Sequence, residues 1–354
     1  MEQVPGALKK QFPISVAQSM MRAMKVAVFN TKRYERRSLD AAAAGKGIEF
    51  TYLEPRLDAT TAVLAAGHEA VLIFVNDVAD RPVLEKLAGS GTKFLATRSA
   101  GFNQIDRGAA RSLGILLAYV PAYSPNAVAE FTIGLILTLG RHIHEGHNRV
   151  RRADFNLEGL CGFELRDKTV GVCGTGRIGT NVIRLLNGFG CNVLAYDEEP
   201  NEEVMLLASY VDTREELFRF SDILTLHVPL MPSTFHLIDA PALKLMKDGV
   251  FIINTSRGAL LDTPAVVEAV KSRKVGFLAI DVYEEEASLF FEDRSSDIIN
   301  DDVFARLLTF PNVIVTGHQA FLTDHALRNI AETTVQSLVE FDAGLPCTHL
   351  VPQS

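Results

Sequence analysis

The chain has 354 residues, more than one hydrophobic core usually organises, so we expect two domains. Its formal net charge of -8 argues against nucleic acid and anionic membranes as main partners, because both attract basic surfaces. The longest apolar stretch, residues 131–139, is much shorter than the roughly 20 residues of a membrane-spanning helix. The four cysteines form no CxxC pair and no zinc-ligand cluster with histidine, so we predict neither a disulfide framework nor a metal site.

Residues 1–23 precede the first strand-like run and contain three basic residues, Lys9, Lys10 and Arg22, against the single acid Glu2. We interpret them as a disordered extension ahead of a start near Met24, and expect a cytoplasmic protein. The alternative is a cleavable organelle transit peptide, although the segment is poor in arginine and serine for one.

Short β-rich apolar runs alternate with longer amphipathic segments, which is typical of parallel sheets covered by helices. The first series of predicted strands covers residues 25–30, 49–54, 70–75, 93–99 and 114–120. A segment with two prolines, residues 120–126, then predicts a hinge, and residues 127–152 that follow it predict one long helix.

A second alternating series predicts strands at residues 169–174, 192–197, 223–228, 250–256, 277–282 and 312–317. Each run is short and apolar, as the strands of doubly wound sheets are. The final amphipathic helix, residues 323–341, has no strand of its own, and we expect it to return to the first domain. The expected domains are therefore residues 24–122 plus 321–354, and residues 123–320.

The strongest local motif is Gly174-Thr175-Gly176-Arg177-Ile178-Gly179, which directly follows a predicted strand and opens a predicted helix. In such a turn the three glycines allow a tight bend, close approach to a pyrophosphate and close helix packing, while the helix N-terminus attracts the phosphates. Asp197 ends the next strand, 23 positions after Gly174, where a carboxylate accepts the ribose hydroxyls. Glu198 and Glu199 follow it and would repel a 2′-phosphate, so NAD is predicted rather than NADP.

Three polar residues stand at or just beyond strand ends of the second series: Arg257, Glu286 and His318. The carboxyl ends of parallel strands line the ligand crevice of a doubly wound sheet. A cation for a carboxylate, a proton donor and a group that orients the donor are what reduction of a 2-oxo acid requires. Each residue alone could be structural, and Glu284 and Glu285 compete with Glu286.

Residues 24–342 resemble the D-isomer-specific 2-hydroxyacid dehydrogenases. Besides the glycine motif and Asp197, the resemblance lies in the stretches HVPLMPST, INTSRGALLDT, AIDVYEEE and VTGHQAF, in that order. It implies a flavodoxin-like substrate domain and a Rossmann NAD domain, both doubly wound, with an active-site cleft between them. It also implies that Arg257 anchors the substrate carboxylate, His318 is the acid/base and Glu286 orients it, at family-like spacings of 29 and 32 residues.

The same resemblance implies the remaining site residues. Those expected to hold NAD are Gly174, Gly176, Arg177, Ile178, Gly179, Asp197, His227, Val228, Pro229, Thr255, Ser256 and Asp281. Those expected to bind substrate, besides Arg257, are Ala100 and Gly101 through their backbone N–H groups, and Tyr123 and Phe321 as pocket walls. For the two aromatic residues, ordinary packing near a hinge is an equally good interpretation.

Glu286 is followed by Ala287, whereas the phosphoglycerate, glyoxylate and hydroxypyruvate branches usually have proline there. The continuation SLFFEDRSSDIINDDVF resembles fermentative D-lactate dehydrogenases, so pyruvate is the expected substrate. The alternatives are another small D-2-hydroxy acid, or an NAD-sensing protein like the related corepressors, which the absence of tryptophan disfavours. The apolar segment 127–139 predicts a homodimer or a dimer of dimers.

Overall fold

The computed structural model describes residues 23–352, so all but the last residue of the expected 1–23 extension lies outside the described residues. The chain divides into two compact units, one formed by the residues up to Pro121 and from Ile330, the other by Ala122–Asn329. The second change of unit falls nine residues later than the boundary expected from the sequence. The reason is that the final helix starts in the second unit and passes into the first.

The first unit contains a five-stranded sheet with the order β2-β1-β3-β4-β5, in which every pair is parallel. Its strands are β1 (Met24–Val28), β2 (Ile48–Tyr52), β3 (Ala70–Ile73), β4 (Phe94–Thr97) and β5 (Leu116–Ala118). Its helices are α1 (Arg33–Ala43), α2 (Arg81–Gly89) and α3 (Arg107–Ser112), with a 3-10 turn at Thr61–Ala65.

Both faces of this sheet are buried. Ala27 of β1 belongs to one apolar cluster and Val26 and Val28 to the other, as alternation along a doubly covered strand requires. Ala331 and Leu338 of the final helix α12 (Asp324–Asp342) pack in the second of these clusters. The last helix therefore covers the sheet of the first unit.

The second unit contains a seven-stranded parallel sheet with the order β12-β11-β10-β9-β6-β7-β8. Its strands are β6 (Thr169–Cys173), β7 (Asn192–Tyr196), β8 (Ser209–Tyr210), β9 (Ile223–Leu226), β10 (Val250–Asn254), β11 (Val275–Ile280) and β12 (Val313–Val315). The order reverses between β6 and β9, and such switch points are where doubly wound sheets bind ligands.

Eight helices precede or cover this sheet in the described part of the second unit. They are α4 (Pro125–Gly140), α5 (Ile143–Arg151), α6 (Arg177–Gly188), α7 (Glu202–Met205), α8 (Arg214–Phe220), α9 (Ala240–Leu245), α10 (Thr263–Lys271) and α11 (Asp302–Leu307). Two 3-10 turns, Gly258–Leu260 and Glu286–Ser288, follow β10 and β11. The predicted fold class, two parallel α/β sheets, is confirmed.

The single helix predicted over residues 127–152 is wrong, because the structure breaks it into α4 and α5. His142 between them has φ 52°, a left-handed conformation that interrupts the helical ladder. In addition, the N–H of Phe163 donates to the carbonyl of Gly140 at 3.1 Å, and its ring leaves no room for a side chain there. Packing of a distant segment against Gly140 thus accompanies the break.

Candidate active site

The glycine-rich turn joins β6 to α6 at the switch point of the second sheet. Gly174 has φ 97°, and a Cβ at this position would lie 2.6 Å from the carbonyl carbon of His227, so only glycine fits. Gly176 is exposed, and a Cβ there would meet no heavy atom within 4 Å. The turn therefore presents open backbone at the start of α6, which suits a pyrophosphate.

Asp197 follows β7 beside this turn and is half-buried. Its Oδ2 accepts hydrogen bonds from the backbone N–H of Thr175 at 2.6 Å and from the Thr175 hydroxyl at 3.1 Å. Its Oδ1 accepts one bond, from the N–H of Glu199 at 3.2 Å. Oδ1 thus keeps lone pairs for ribose hydroxyls, and the exposed Glu198 and Glu199 add negative charge. These features fit NAD and disfavour a 2′-phosphate.

The loops after β9 and β10 are tied together near the same edge. Nε2 of His227 lies 2.9 Å from the Thr225 hydroxyl, and burial lowers the pKa of His227 to about 3, so its ring is neutral. The hydroxyl of Ser256 donates to the carbonyl of Val228 at 2.7 Å. The hydroxyl of Thr255 lies 2.9 Å from that of Thr132 on α4. Among the expected NAD residues, Pro229 and Arg177 are exposed and Ile178 is half-buried.

Arg257 follows β10 and is half-buried. The amide of Asn254 holds the backbone on both sides of Ser256: its Nδ2 donates to the carbonyl of Arg257 at 2.8 Å, and its Oδ1 accepts the N–H of Ser256 at 3.0 Å. Nη1 of Arg257 donates to the carbonyl of Ser256 at 2.7 Å. The next residue, Gly258, lies against the backbone of Tyr283 so closely that no side chain would fit. The guanidinium is therefore presented by a tightly fixed turn.

His318 and Glu286 form a direct pair. Nδ1 of His318 lies 2.7 Å from Oε1 of Glu286, and Oε2 of Glu286 accepts the backbone N–H of Tyr283 at 2.9 Å. The two side chains are 19% and 18% exposed, so neither is sealed from a ligand. Because the carboxylate occupies Nδ1, Nε2 is the nitrogen that can exchange a proton with a substrate.

The neighbouring glutamates have different surroundings. Oε1 of Glu284 lies 2.6 Å from Nε2 of His236, and its Oε2 accepts from the Thr263 hydroxyl at 3.3 Å. Glu285 is exposed. Glu284, one of the two competitors of Glu286, is therefore paired with His236 from the β9–α9 connection. Sequence reasoning missed His236, since no spacing rule relates it to Glu284.

Asp281, expected to contact the cofactor, is fully buried at the end of β11. Its carboxylate accepts from the Thr316 hydroxyl at 2.6 Å, the N–H of Gln319 at 2.9 Å and the N–H of Ala320 at 2.8 Å. Burial raises the pKa of this carboxyl, and these hydrogen bonds oppose the rise. Asp281 thus holds both sides of His318 in place.

Tyr123 and Phe321 meet edge to face in the second unit, with ring centroids 6.0 Å apart. Burial raises the pKa of the Tyr123 phenol, and the nearby charge of Arg257 opposes that rise. The structure therefore brings both aromatic side chains to one place and puts Tyr123 within electrostatic range of Arg257.

Ala100 and Gly101 follow β4 in the first unit and are half-buried. The Ser99 hydroxyl donates to the carbonyl of Gly101 at 2.7 Å, and the buried ion pair of Arg98 with Glu35 underlies this loop. Within residues 23–352, the backbone N–H groups of Ala100 and Gly101 donate to no other group of the protein. They are free to bind a ligand oxygen.

Two features are absent from the described residues, a metal-binding cluster and a membrane-spanning helix. No group of three or more histidine, cysteine, aspartate or glutamate side chains among residues 23–352 could hold a metal ion. No helix in the same range is long and apolar enough to cross a membrane.

Comparison with known proteins yields a consistent result. A family model described as the NAD binding domain of D-isomer specific 2-hydroxyacid dehydrogenases matches residues 133–320. The D-lactate dehydrogenase of Escherichia coli K12 is 49% identical over 325 residues, which are 92% of this chain and 98% of that protein. Its apo-structure matches with a TM-score of 0.85 at 46% identity, covering 93% of this chain and 100% of the other.

A structure described as the pyruvate reductase of Chlamydomonas reinhardtii matches with a TM-score of 0.87 at 41% identity, covering 93% of this chain and 99% of the other. The residues expected to hold NAD all lie in the segment that matches the NAD binding model. The chain therefore belongs to the D-isomer specific 2-hydroxyacid dehydrogenase family and is an NAD-dependent 2-hydroxyacid dehydrogenase.

Proposed function

We propose that the chain is a D-lactate dehydrogenase that reversibly reduces pyruvate to D-lactate with NADH. The observation that carries the proposed chemistry is the pair of His318 and Glu286 at 2.7 Å, in the same unit as Arg257 and the glycine-rich turn. Support for pyruvate comes from the names of the similar proteins and from the segment after Glu286, which lacks the proline usual in the phosphoglycerate, glyoxylate and hydroxypyruvate branches.

Arg257 is proposed to bind the substrate carboxylate through two parallel hydrogen bonds, because a planar guanidinium matches a carboxylate in this way. The N–H groups of Ala100 and Gly101 are proposed to bind the carboxylate as well, which their lack of protein acceptors supports. Tyr123 and Phe321 are proposed to border the C3 methyl group. Holding the acid in this way fixes which face of its carbonyl is attacked.

When bound, NADH would supply the hydride that adds to C2 of the oxo acid, and the cofactor would then be released as NAD⁺. His318 is proposed to donate the proton from Nε2 to the carbonyl oxygen as negative charge develops there, so that the product is the neutral alcohol. Glu286 stabilises the imidazolium that precedes this transfer and keeps the proton on Nδ1. In lactate oxidation the neutral imidazole accepts the hydroxyl proton through the same nitrogen.

The test is NADH consumption with pyruvate, glyoxylate, hydroxypyruvate, 2-oxobutyrate and phenylpyruvate, followed by chiral analysis of each product. We expect the highest kcat/KM with pyruvate and only D-lactate as product. A higher kcat/KM with another oxo acid would replace pyruvate as the substrate while leaving the reaction class intact. Turnover of none of the five would instead favour a sensor that binds NAD without catalysis.

We also propose a homodimer or a dimer of dimers, at a surface different from the one the sequence indicated. The apolar helix α4 is largely buried by its own unit, so its hydrophobicity needs no partner chain. Large apolar side chains are exposed instead on α5 and the loop after it: Ile143 (55%), Val150 (55%), Phe155 (72%) and Leu157 (80%). We propose that a second copy covers them.

Light scattering should therefore give a multiple of the 38.8 kDa chain mass, and replacing Phe155 and Leu157 with aspartate should give the monomer. Leu206→Asp is the control, because Leu206 is 87% exposed elsewhere on the same unit. A native mass unchanged by the double substitution would exclude this surface.

A further inference from the structure

The two-residue strand β8 places a phenol against the glycine-rich turn. Tyr210 pairs with Ala195 of β7 at the edge of the sheet, and its hydroxyl donates to Oγ1 of Thr175 at 2.7 Å. Thr175 is buried and is the residue whose N–H and hydroxyl both bind Asp197. Two hydrogen bonds through Thr175 therefore link Tyr210 to Asp197, the proposed ribose acceptor.

These residues form a series of hydrogen bonds that runs from Asn201 to Asp197, and the direction of each bond in the series is fixed. The N–H of Asn201 can only donate, and it donates to the Tyr210 hydroxyl at 2.9 Å. The carboxylate of Asp197 can only accept, so the Thr175 hydroxyl donates to it at 3.1 Å. Tyr210 must then donate to Thr175. Hydrogen bonds aligned in one direction polarise one another, so the chain strengthens the bond that reaches Asp197.

We propose that Tyr210 is a positioning residue for NAD. By orienting the Thr175 hydroxyl, it directs a second donor, beside the Thr175 N–H, to the single oxygen Oδ2 of Asp197, which fixes the carboxylate plane and turns Oδ1 toward the ribose hydroxyls. This inference rests on the proposed role of Asp197. The pairing of β8 with β7 sets Tyr210 beside the turn.

A purely structural role makes a different prediction. If Tyr210 only stabilised β8 and the turn at Asn201, its loss would lower the stability of the protein. Any effect of that loss on NADH binding would then be the same with and without the Asp197 carboxylate. Two measurements therefore distinguish the roles. The affinity for NADH without substrate reports on the positioning role, and thermal unfolding of the free protein reports on the structural role.

The experiment is fluorescence titration of NADH into Tyr210→Phe, Thr175→Val and Thr175→Ser. Losing one hydrogen bond of the chain should raise the Kd of Tyr210→Phe about 3- to 10-fold. Thr175→Val should raise it at least as much, whereas Thr175→Ser, which keeps the hydroxyl, should bind nearly as the native protein does. Tyr52→Phe is the matched control, because it also removes the hydrogen bond that a tyrosine hydroxyl donates, here to Asp40 at 2.6 Å, but in the first unit.

The decisive comparison repeats Tyr210→Phe in an Asp197→Ala background, where the Kd should not rise further. An unchanged Kd for Tyr210→Phe alone, or an equal rise with and without Asp197, would overturn the proposal. If Asp197→Ala itself leaves NADH binding unchanged, the ribose assignment fails instead. Since Tyr210→Phe keeps the charge of Asp197, NADPH should stay weakly bound.

Discussion

Asp281 and His318 are joined through the main chain: the N–H of His318 donates to the carbonyl of Asp281 at 2.7 Å. The Asp281 carboxylate also takes the N–H groups of the two residues that follow His318. His318 itself has φ 56°, a conformation that costs free energy for a side-chain-bearing residue unless its surroundings enforce it. The end of β11 thus fixes the direction in which the His318 imidazole leaves the main chain. Glu286 in turn keeps a proton on Nδ1 of that ring.

Asp197→Ala should weaken NADH binding and narrow the preference for NAD over NADP. The substitution removes both the proposed ribose acceptor and a charge that would repel a 2′-phosphate. The measurement is kcat/KM with each cofactor. Because Glu198 and Glu199 are exposed beside it, replacing all three acids should narrow the ratio further. An unchanged ratio in the triple variant would remove this carboxylate from the cofactor site.

Arg257→Lys should lower kcat/KM for pyruvate, although lysine keeps the positive charge. The expected loss of transition-state stabilisation is about 2–4 kcal/mol. An ammonium lacks the planar fork that grips a carboxylate at two points, so both KM and kcat should suffer. Steady-state kinetics measure this, and Arg219→Lys on the exposed face of α8 is the control. Near-native kinetics for Arg257→Lys would place the substrate carboxylate elsewhere.

His227 should make the protein sensitive to mild acid. Its pKa is lowered to about 3 in the folded protein, against about 6.5 in an unfolded chain. Below about pH 6.5 His227 therefore takes up a proton in the unfolded chain, whereas in the folded protein it stays neutral until the pH is near 3. The stability from this group is fully present above about pH 6.5 and is lost as pH falls through that window.

His227→Gln should accordingly lose less stability than the native protein between about pH 7.5 and about pH 5, by on the order of 1 kcal/mol. Urea unfolding at the two pH values measures the difference. His325→Gln is the control, because His325 is exposed, and its loss of stability should match that of the native protein. If the loss of stability of His227→Gln also matched that of the native protein, the His227 ring would have to be accessible to protons in the folded protein.

The sequence predicts the sheets and the conformation of the glycine-rich turn well, because both depend on local signals. Buried parallel strands read as short apolar runs, and the glycines around Gly174 are required by the turn itself. The resemblance to the family is confirmed by the comparisons, as is NAD as cofactor. Arg257 and His318 could be singled out because polar residues at strand ends are conspicuous after apolar runs.

Features set by distant segments were not predictable. The helix break at His142 coincides with Phe163 packing on Gly140, and a helical pattern in residues 127–152 cannot report that contact. Strand β8 is two residues long, too short to show any periodicity. The pairing of Glu284 with His236 joins residues 48 positions apart, and adjacent acids in a sequence give no sign of which histidine each one contacts.

The choice among the three glutamates is tested by pH dependence. In the proposed mechanism, reduction needs protonated His318, and the negative charge of a carboxylate 2.7 Å away favours that form. Glu286→Gln removes the charge, so the alkaline limb of the reduction rate should move to lower pH. Lactate oxidation needs the neutral ring, so its acidic limb should move to lower pH too. A general loss of stability would not shift both limbs in the same direction.

The substitution also has a geometric cost that can be separated from the charge effect. Glu286 accepts from both His318 and the N–H of Tyr283, whereas a glutamine offers only one acceptor oxygen, so kcat should fall as well. Glu285→Gln is the matched control, since Glu285 is exposed, and both limbs should stay in place. Glu284→Gln weakens the contact with His236 and should change rates without moving the limbs. If Glu284→Gln moved both limbs and Glu286→Gln moved neither, the family and the reaction would stand, but the partner of the catalytic histidine would be Glu284.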